Sequence, residues 1–186
     1  MNVAFWNKTD PVMNGLRHEK GTIEYADSVR SIREAHSKLF DDYYGNILDI
    51  GCGGGACKEA LLAEGYNYVG YDIAEDTART VSSLDDVGSD FDLIVCAHVL
   101  HHMNSVDSLV EMLKLIGKHA GSADILLNMM GSRGDGLRVR TGEDGFPKAH
   151  VDPVLQEIIL RGLGFEVVGK YKPSDSPYTW WGLYKK

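Results

Sequence analysis

Glycine and aspartate residues that could hold a nucleotide-like ligand are concentrated in the stretch ILDIGCGGGACKEALLAEGYNYVGYDIAED. Gly51, Gly53 and Ala56 match the pattern G-x-G-x-x-G/A, and the acidic residue Asp72 follows about twenty residues later. Glycines let the backbone approach a ligand closely, and a carboxylate after the next strand can accept hydrogen bonds from ribose hydroxyls. The same stretch also fits D-x-G-x-G-x-G, beginning at Asp49. It therefore predicts a site for a nucleoside-containing ligand but leaves the choice of ligand open.

A second group of residues that could take part in chemistry is the histidine cluster in AHVLHHM: His98, His101 and His102. Imidazole is a common general base near neutral pH, and three imidazoles can bind a divalent transition ion. Three hypotheses follow: His102 is structural, His98 or His101 faces a substrate as base or orienting group, or the three residues hold a metal. We take His98 and His101 as the candidate catalytic residues and predict no metal site.

Size and charge limit the functions that the chain can have. Its 186 residues predict a single domain, with residues 1–44 as a helical cap or lid and residues 45–186 as the core. The net charge of −8 argues against broad contact with nucleic-acid backbones. No apolar run approaches the roughly 18 residues of a membrane span, and no secretory signal is recognisable at the N-terminus. We therefore expect no membrane partner.

The cysteine content predicts a reducing environment. Cys52, Cys57 and Cys96 are odd in number, and each lies in or beside a predicted core element. Buried free thiols are favoured over a disulfide or a metal site. Free thiols suit the cytoplasm, so this localisation is predicted.

Helical and strand patterns alternate through the middle of the chain. Apolar spacing predicts a helix over 26–41, and an apolar stripe predicts another that is capped by Asn104 or Ser105 and ends near Gly117. Gly65 ends a short helix, and a further helix starts at residue 152 or 153. The predicted strands are 47–50, 68–71, 91–97, 124–130, GFEVVGK and TWWGLYK.

These elements predict an α/β fold: a Rossmann-like, doubly wound and mostly parallel sheet that closes on a C-terminal antiparallel hairpin. Ligands of such sheets bind outside the carboxyl ends of the strands, where the strand order reverses. Residues 131–150 are rich in glycine and mixed charge, which predicts a long connection over a binding face. Trp180 and Trp181 point to opposite faces of the last strand, so one of them should lie in the core.

The order of four motifs, LDIGCGGG, VGYDIA, FDLIVCAHVLHHM and RGLGFEVV, resembles that of the class I S-adenosylmethionine-dependent methyltransferases over about residues 45–170. The resemblance implies that S-adenosylmethionine is the cofactor, that Asp49 anchors the loop near its amino group, and that Asp72 holds its ribose. Gly51, Gly53 and Gly55 would approach its methionine and ribose parts. The predicted cofactor-binding residues are Asp49, Gly51, Cys52, Gly53, Gly55, Asp72, Ile73, Asp85 and Ala97.

The chain departs from the family pattern between Asp72 and Phe91. The family has a helix, a third strand and an acidic residue at the adenine amino group, whereas only IAEDTARTVSSLDDVGSD intervenes here. A short variant would form a minimal strand over 80–84 and use Asp85 as the adenine contact. The alternative is that Asp85 and Asp86 are solvated turn residues.

A second departure concerns the histidines. Small-RNA 2′-O-methyltransferases and some quinone-pathway O-methyltransferases carry E-x-x-E-H where this chain has H-x-x-H-H. The change of charge and ligand type argues against magnesium chemistry. Three imidazoles could instead hold a transition ion that polarises a substrate oxygen.

The favoured function is methyl transfer from S-adenosylmethionine to oxygen or nitrogen of a small-molecule acceptor. The tetrapeptide [DN]-P-P-[YF] of amino-methylating DNA enzymes is absent from the sequence, which argues against base methylation. An NAD(P)-dependent oxidoreductase, an RNA ribose methyltransferase and a noncatalytic cofactor-binding protein remain alternatives. Two segments are candidates for acceptor recognition. Phe5, Trp6 and Tyr25 could form an apolar lid, although core packing is the favoured role for them. In the 131–150 connection a solvated loop is the default, and the alternative is an arginine clamp for a substrate carboxylate or phosphate, formed by Arg133, Arg138 and Arg140.

Overall fold

Helices and strands alternate along the chain in the computed structural model, which describes residues 20–40, 45–74, 77–103, 105–131, 136–141, 147–174 and 179–186. The helices are α1 (Ile23–Leu39), α2 (Ala56–Leu62), α3 (Val106–Ala120) and α4 (Pro153–Gly162). The strands are β1 (Asn46–Ile50), β2 (Asn67–Tyr71), β3 (Leu93–Cys96), β4 (Asp124–Met130), β5 (Leu137–Thr141), β6 (Pro147–Val151), β7 (Glu166–Tyr171) and β8 (Thr179–Lys185). Two 3₁₀ turns, Leu84–Asp86 and Leu100–His102, flank β3.

The main sheet has the strand order β2-β1-β3-β4-β8-β7. The first four strands are parallel, whereas β8 pairs antiparallel with both β4 and β7. The predicted Rossmann-like sheet with an antiparallel C-terminal hairpin is therefore confirmed. The order reverses between β1 and β3, so the carboxyl ends of these two strands border the crevice in which such sheets bind ligands.

Both faces of the sheet are covered, which explains why its central strands are almost entirely apolar. On one face α1 and α2 pack over a core that includes Ile47, Val95 and Trp181. On the other face α3 and α4 pack over a core that includes Leu48 and Ile94. The site residues of β1 and β3 are therefore anchored in strands that are buried on both sides.

The predicted long connection over 131–150 is partly wrong, because β5 and β6 form a separate antiparallel pair within it. Ala149 and Val151 are buried and help to hold this hairpin on the protein. The alternation of apolar and charged residues in LRVRT is a strand signal that the glycine content of the region obscures. Residues 132–135 and 142–146, which include Arg133, lie outside the described residues, whereas Arg138 and Arg140 are exposed.

The short segment after β2 contains much less strand than the sequence predicts. Val81 makes an isolated parallel bridge with Tyr71, and the Thr80 and Val81 amides donate to the Gly70 carbonyl at 2.8 and 3.2 Å. Ser83 then caps the 3₁₀ turn Leu84–Asp86, which replaces the end of the predicted strand over 80–84. A side-chain cap offers the backbone an alternative to a sheet ladder, so the strand stops at one bridge.

Helix boundaries follow local capping. Ser105 caps α3 in a reciprocal capping box with Ser108. The helix passes Gly117, where the prediction ended it, and stops before Gly121, whose φ of +55° lies in the left-handed region. Within the described ranges, no helix combines the length and the apolar composition that crossing a membrane requires.

Candidate functional site

A cavity of about 150 Å³ opens at the carboxyl ends of β1 and β3, at the point where the strand order reverses. Its walls come from the glycine loop after β1, the end of β2, the segment after β3, and helices α1 and α3. Eight of the predicted site residues line it: Asp49, Gly51, Cys52, Gly53, Asp72, Ile73, Ala97 and His98. Gly55, Asp85 and His101 are not among the lining residues.

Glycine is required in the loop because the backbone takes up left-handed conformations there. Gly51, Gly53 and Gly55 have φ values of +83°, +47° and +89°. The Gly51 and Cys52 amides both donate to the Tyr71 carbonyl, at 2.8 and 3.1 Å. These bonds tie the end of β1 to the end of β2 and thereby shape the cavity floor.

We expect Gly51→Ala to destabilise the protein by roughly 1 to 3 kcal/mol and to distort the cavity. A Cβ at this position would lie 2.3 Å from Val99 Cγ2, in addition to the cost of its positive φ. Urea unfolding measures the effect. Gly164→Ala is the control, because Gly164 has a similar φ of +88° but a Cβ there meets no atom within 4 Å. Equal losses in the two variants would show that backbone strain alone matters.

Asp72 holds the glycine loop from the opposite side. Its Oδ2 accepts a hydrogen bond from the Gly53 amide at 2.9 Å, and its Oδ1 accepts one from the Ala74 amide at 2.9 Å. A carboxylate has about four lone-pair sites, so each oxygen can still accept one more bond. Asp72 can therefore bind two neighbouring hydroxyl groups of a ligand while it keeps the loop in place.

Asp49 lies at the base of the cavity and is only 1% exposed. The Tyr68 hydroxyl donates to its Oδ2 at 2.7 Å, and the Cys57 thiol also hydrogen-bonds to it. Burial raises the pKa of Asp49 to about 7, the two hydrogen bonds oppose this rise, and the charge of Asp72 adds to it. The site therefore contains a buried carboxylate that a positively charged ligand group would stabilise in its ionised form.

All three cysteines are buried and free, as the sequence predicts. Cys52 and Cys57 line the cavity beside Asp49, and burial is the main reason that the pKa values of both thiols are raised. A neutral thiol is a poor nucleophile and a poor metal ligand. We therefore assign these residues to packing and to the hydrogen bonds around Asp49.

The three histidines after β3 have different environments. His98 lines the cavity and has a φ of +58°, whereas His101 is 6% exposed and lies outside the cavity wall. His102 also lines the cavity, and its ring centroid is 4.0 Å from that of His101. No group of three or more His, Cys, Asp or Glu residues in the described ranges is arranged to hold a metal ion. The structure thus separates the two catalytic candidates and places His98 at the cavity.

Asp85 and Gly55 lie outside the cavity for different reasons. Asp85 is exposed in the 3₁₀ turn Leu84–Asp86, in agreement with the alternative that it is a solvated turn residue. Gly55 is the N-terminal cap residue of α2, and its carbonyl accepts a hydrogen bond from the Tyr25 hydroxyl at 3.3 Å. Tyr25 thus connects α1 to the glycine loop, while the other predicted lid residues, Phe5 and Trp6, lie outside the described residues.

Sequence reasoning missed several residues of the cavity wall. Ser28 and Ile32, one helical turn apart on α1, line the cavity, and Ser28 is a polar residue within the apolar stripe of that helix. Tyr71 precedes Asp72 directly, so its position next to the site could have been inferred. Val99, Met103 and Met112 also line the cavity, but nothing in the sequence distinguishes them from ordinary core residues.

A family profile described as a methyltransferase domain matches residues 23–129, more than half of the chain. The chain belongs to this family. Among curated relatives, the ubiquinone biosynthesis O-methyltransferase of Rickettsia felis is 26% identical over 133 residues, which are 61% of this chain and 50% of that protein. The protein with the same name from Hydrogenovibrio crunogenus is 27% identical over 125 residues, covering 56% of this chain and 52% of that protein. The chain spans about half the length of these relatives.

Solved structures of other methyltransferases share the fold. The 1,6-didemethyltoxoflavin-N1-methyltransferase of Burkholderia thailandensis, with bound 1,6-didemethyltoxoflavin and S-adenosylhomocysteine, superposes with a TM-score of 0.68 at 18% identity. The alignment covers 88% of this chain and 81% of that one. The magnesium protoporphyrin IX methyltransferase of Synechocystis PCC 6803, with bound SAH, superposes with a TM-score of 0.68 at 15% identity. That alignment covers 98% of this chain and 97% of the Synechocystis chain. The resemblance to class I methyltransferases seen in the sequence motifs is therefore confirmed.

Proposed function

We propose that the chain is an enzyme that binds S-adenosylmethionine and transfers its methyl group to oxygen or nitrogen of a small-molecule acceptor. One observation carries the proposal: the cavity at the reversal of strand order joins a glycine loop, the Asp72 carboxylate and the buried Asp49 carboxylate. Family membership and the shared fold support it.

The lining residues fit the chemical parts of this cofactor. Asp72 would accept hydrogen bonds from the ribose hydroxyls, and Asp49 would accept one from the amino group. Val99, Met103 and Met112 offer an apolar surface for adenine. The close approach of Val99 leaves no room for a Cβ at Gly51, so this position of the loop stays without a side chain. The cofactor supplies an activated methyl group on a sulfonium.

On the acceptor side, the proposed role of His98 is to accept a proton from an acceptor hydroxyl or N–H group. His98 is the catalytic candidate that reaches the cavity, and His101, one 3₁₀ turn further on, is assigned to the packing behind it. A general base is needed only where the nucleophile begins protonated; for other acceptors, alignment supplies much of the rate.

A small molecule is favoured as the acceptor. The net charge of −8 disfavours a nucleic-acid partner, and the related proteins named for their substrates act on small molecules, such as 1,6-didemethyltoxoflavin. The buried free cysteines suit a reducing compartment, so we place the reaction in the cytoplasm.

Calorimetry with S-adenosylhomocysteine, NAD and NADP tests the cofactor directly. We expect submillimolar binding of S-adenosylhomocysteine and none of the two nicotinamide nucleotides. The opposite result would replace the proposal with an NAD(P)-dependent oxidoreductase.

A panel of phenols, catechols, carboxylic acids and heteroaromatic N–H compounds, with S-adenosylmethionine labelled in the methyl group, then identifies the acceptor class. Binding of S-adenosylhomocysteine without transfer to any member would favour a noncatalytic cofactor-binding protein.

For a hydroxyl acceptor, we expect His98→Asn to lower kcat by roughly 10²- to 10⁴-fold, because a general base is lost. Asparagine tolerates the left-handed backbone, so the fold should be kept. Affinity for S-adenosylhomocysteine should change by less than about threefold. His119→Asn is the control, since His119 lies on α3 and does not line the cavity. A kcat for His98→Asn within about threefold of the wild-type value would remove His98 from the mechanism.

A further inference from the structure

Trp181 is the aromatic residue that contacts His98 from the sheet. The two ring centroids are 5.8 Å apart and the ring planes are perpendicular, which is the edge-to-face arrangement that aromatic pairs prefer. Trp181 is 1% exposed and is not among the cavity-lining residues. It therefore contacts the histidine without occupying the space in which a ligand would bind.

Trp181 is itself fixed by α1. Its indole N–H donates to Ser31 Oγ at 3.1 Å, so the ring cannot rotate without breaking this partly buried bond. Ser31 is flanked along α1 by Ser28 and Ile32, both of which line the cavity. One rigid side chain thus connects the helix that forms part of the cavity wall to the histidine at the end of β3.

The backbone of His98 has a conformation that its surroundings must support. A φ of +58° is unfavourable for a residue with a side chain and persists only when its surroundings hold it. The His98 ring centroid is 5.8 Å from that of Trp181 and 6.3 Å from that of His101. Trp181 is bonded to α1, a separate element of the fold.

We propose that Trp181 is a positioning residue for His98, and that its bond to Ser31 sets the direction of the His98 ring relative to α1. This inference rests on the proposed catalytic role of His98. A purely structural Trp181 would stabilise the core without determining the orientation or the ionisation of the His98 ring.

NMR spectra of the His98 ring in the ligand-free protein test the inference without an acceptor. In Trp181→Leu we expect the His98 resonances to broaden and the midpoint of its titration to move by about half a pH unit or more, because the edge-to-face contact is lost. Trp181→Phe, which retains an aromatic edge, should restore most of the wild-type midpoint. Ser31→Ala should move the His98 titration midpoint in the same direction by a smaller amount. All three variants retain His101, the titratable neighbour whose ring centroid is 6.3 Å from that of His98.

Trp180→Leu is the matched control. Trp180 is the adjacent residue of β8 and also donates its indole N–H, to the Gly131 carbonyl at 2.8 Å, but it makes no ring contact with His98. It should therefore leave the His98 spectrum at the wild-type position. With an acceptor found in the panel, kcat of Trp181→Leu should fall about tenfold or more, while KM for S-adenosylmethionine stays within about threefold.

A wild-type His98 spectrum in Trp181→Leu would overturn the inference. So would equal changes in Trp180→Leu and Trp181→Leu, since they would indicate general loosening of the sheet. Failure of the wild-type protein to bind S-adenosylhomocysteine would instead contradict the proposed function, so the two failures are distinguishable.

Discussion

Asp72→Ala is expected to weaken binding of S-adenosylhomocysteine by roughly 10- to 150-fold, or about 1.5 to 3 kcal/mol. The substitution removes the proposed ribose acceptor. It also removes the acceptor for the Gly53 and Ala74 amides, both at 2.9 Å, so that the loop loses its support. Calorimetry at constant pH measures the change.

Two further variants separate the effects of Asp72. Asp72→Asn keeps one oxygen acceptor without the charge and should fall between wild type and Asp72→Ala. Asp86→Ala removes an exposed carboxylate of the 3₁₀ turn, which is outside the cavity, and should leave the affinity unchanged. An unaltered dissociation constant in Asp72→Ala would contradict the assignment of this residue to the ribose.

Asp49→Asn should have opposite effects on stability and on ligand binding. In the ligand-free protein above about pH 7, folding buries an ionised carboxylate, which is costly. The neutral amide avoids this cost, so we expect the free energy of unfolding at about pH 8 to rise by up to about 4 kcal/mol. Binding of S-adenosylhomocysteine should weaken by about 100-fold or more, because the amino group would lose its proposed buried partner.

The sign of the pH dependence follows from the raised pKa. The ordinary value for Asp49 is 3.8, and the folded value is about 7. Between these values the folded state binds more protons than the unfolded state, so the stability associated with Asp49 is present below about pH 4 and is lost as the pH rises to about 7. Urea unfolding of the ligand-free protein across this range should show a decline in the wild type that Asp49→Asn lacks.

Ligand affinity should change with pH in the other direction. Because the ionised form of Asp49 is the proposed partner of the amino group, wild-type affinity for S-adenosylhomocysteine should decrease below about pH 7, by at most about tenfold per pH unit. The assignment of Asp49 would be contradicted by two results together: a free energy of unfolding that varies with pH in the same way in wild type and Asp49→Asn, and a wild-type affinity that does not vary with pH.

The local sequence predicts the glycine loop and the strands well, because the conformations involved are local. Gly51 and Gly53 occupy left-handed positions that other residues disfavour, and the apolar run of β3 is typical of a strand covered on both faces. Patterns of this kind depend on a few neighbouring residues. They can therefore be recognised without knowledge of the tertiary structure.

The boundaries of elements were less predictable, because competing local bonds have similar energies. Ser83 diverts the chain into a 3₁₀ turn where a strand was predicted, and α3 runs past Gly117 to Ala120. In the same way, the hairpin of β5 and β6 depends on Ala149 and Val151 finding a buried surface that is distant in sequence. Local propensity does not contain that information.

By itself the sequence determined the fold class, the family motifs and a set of predicted site residues, most of which line the cavity. Asp49 and Asp72 are among them. Each of these features can be read from spacing along the chain. The tertiary structure alone decided which of the two catalytic candidates reaches the cavity, since His98 precedes the 3₁₀ turn and lines the cavity, whereas His101 lies within the turn and is buried away from it. It also decided that α1 contributes to the cavity and that Trp181 contacts His98. The physical reason is that burial and side-chain contact depend on the packing of elements far apart in sequence, which local spacing does not encode.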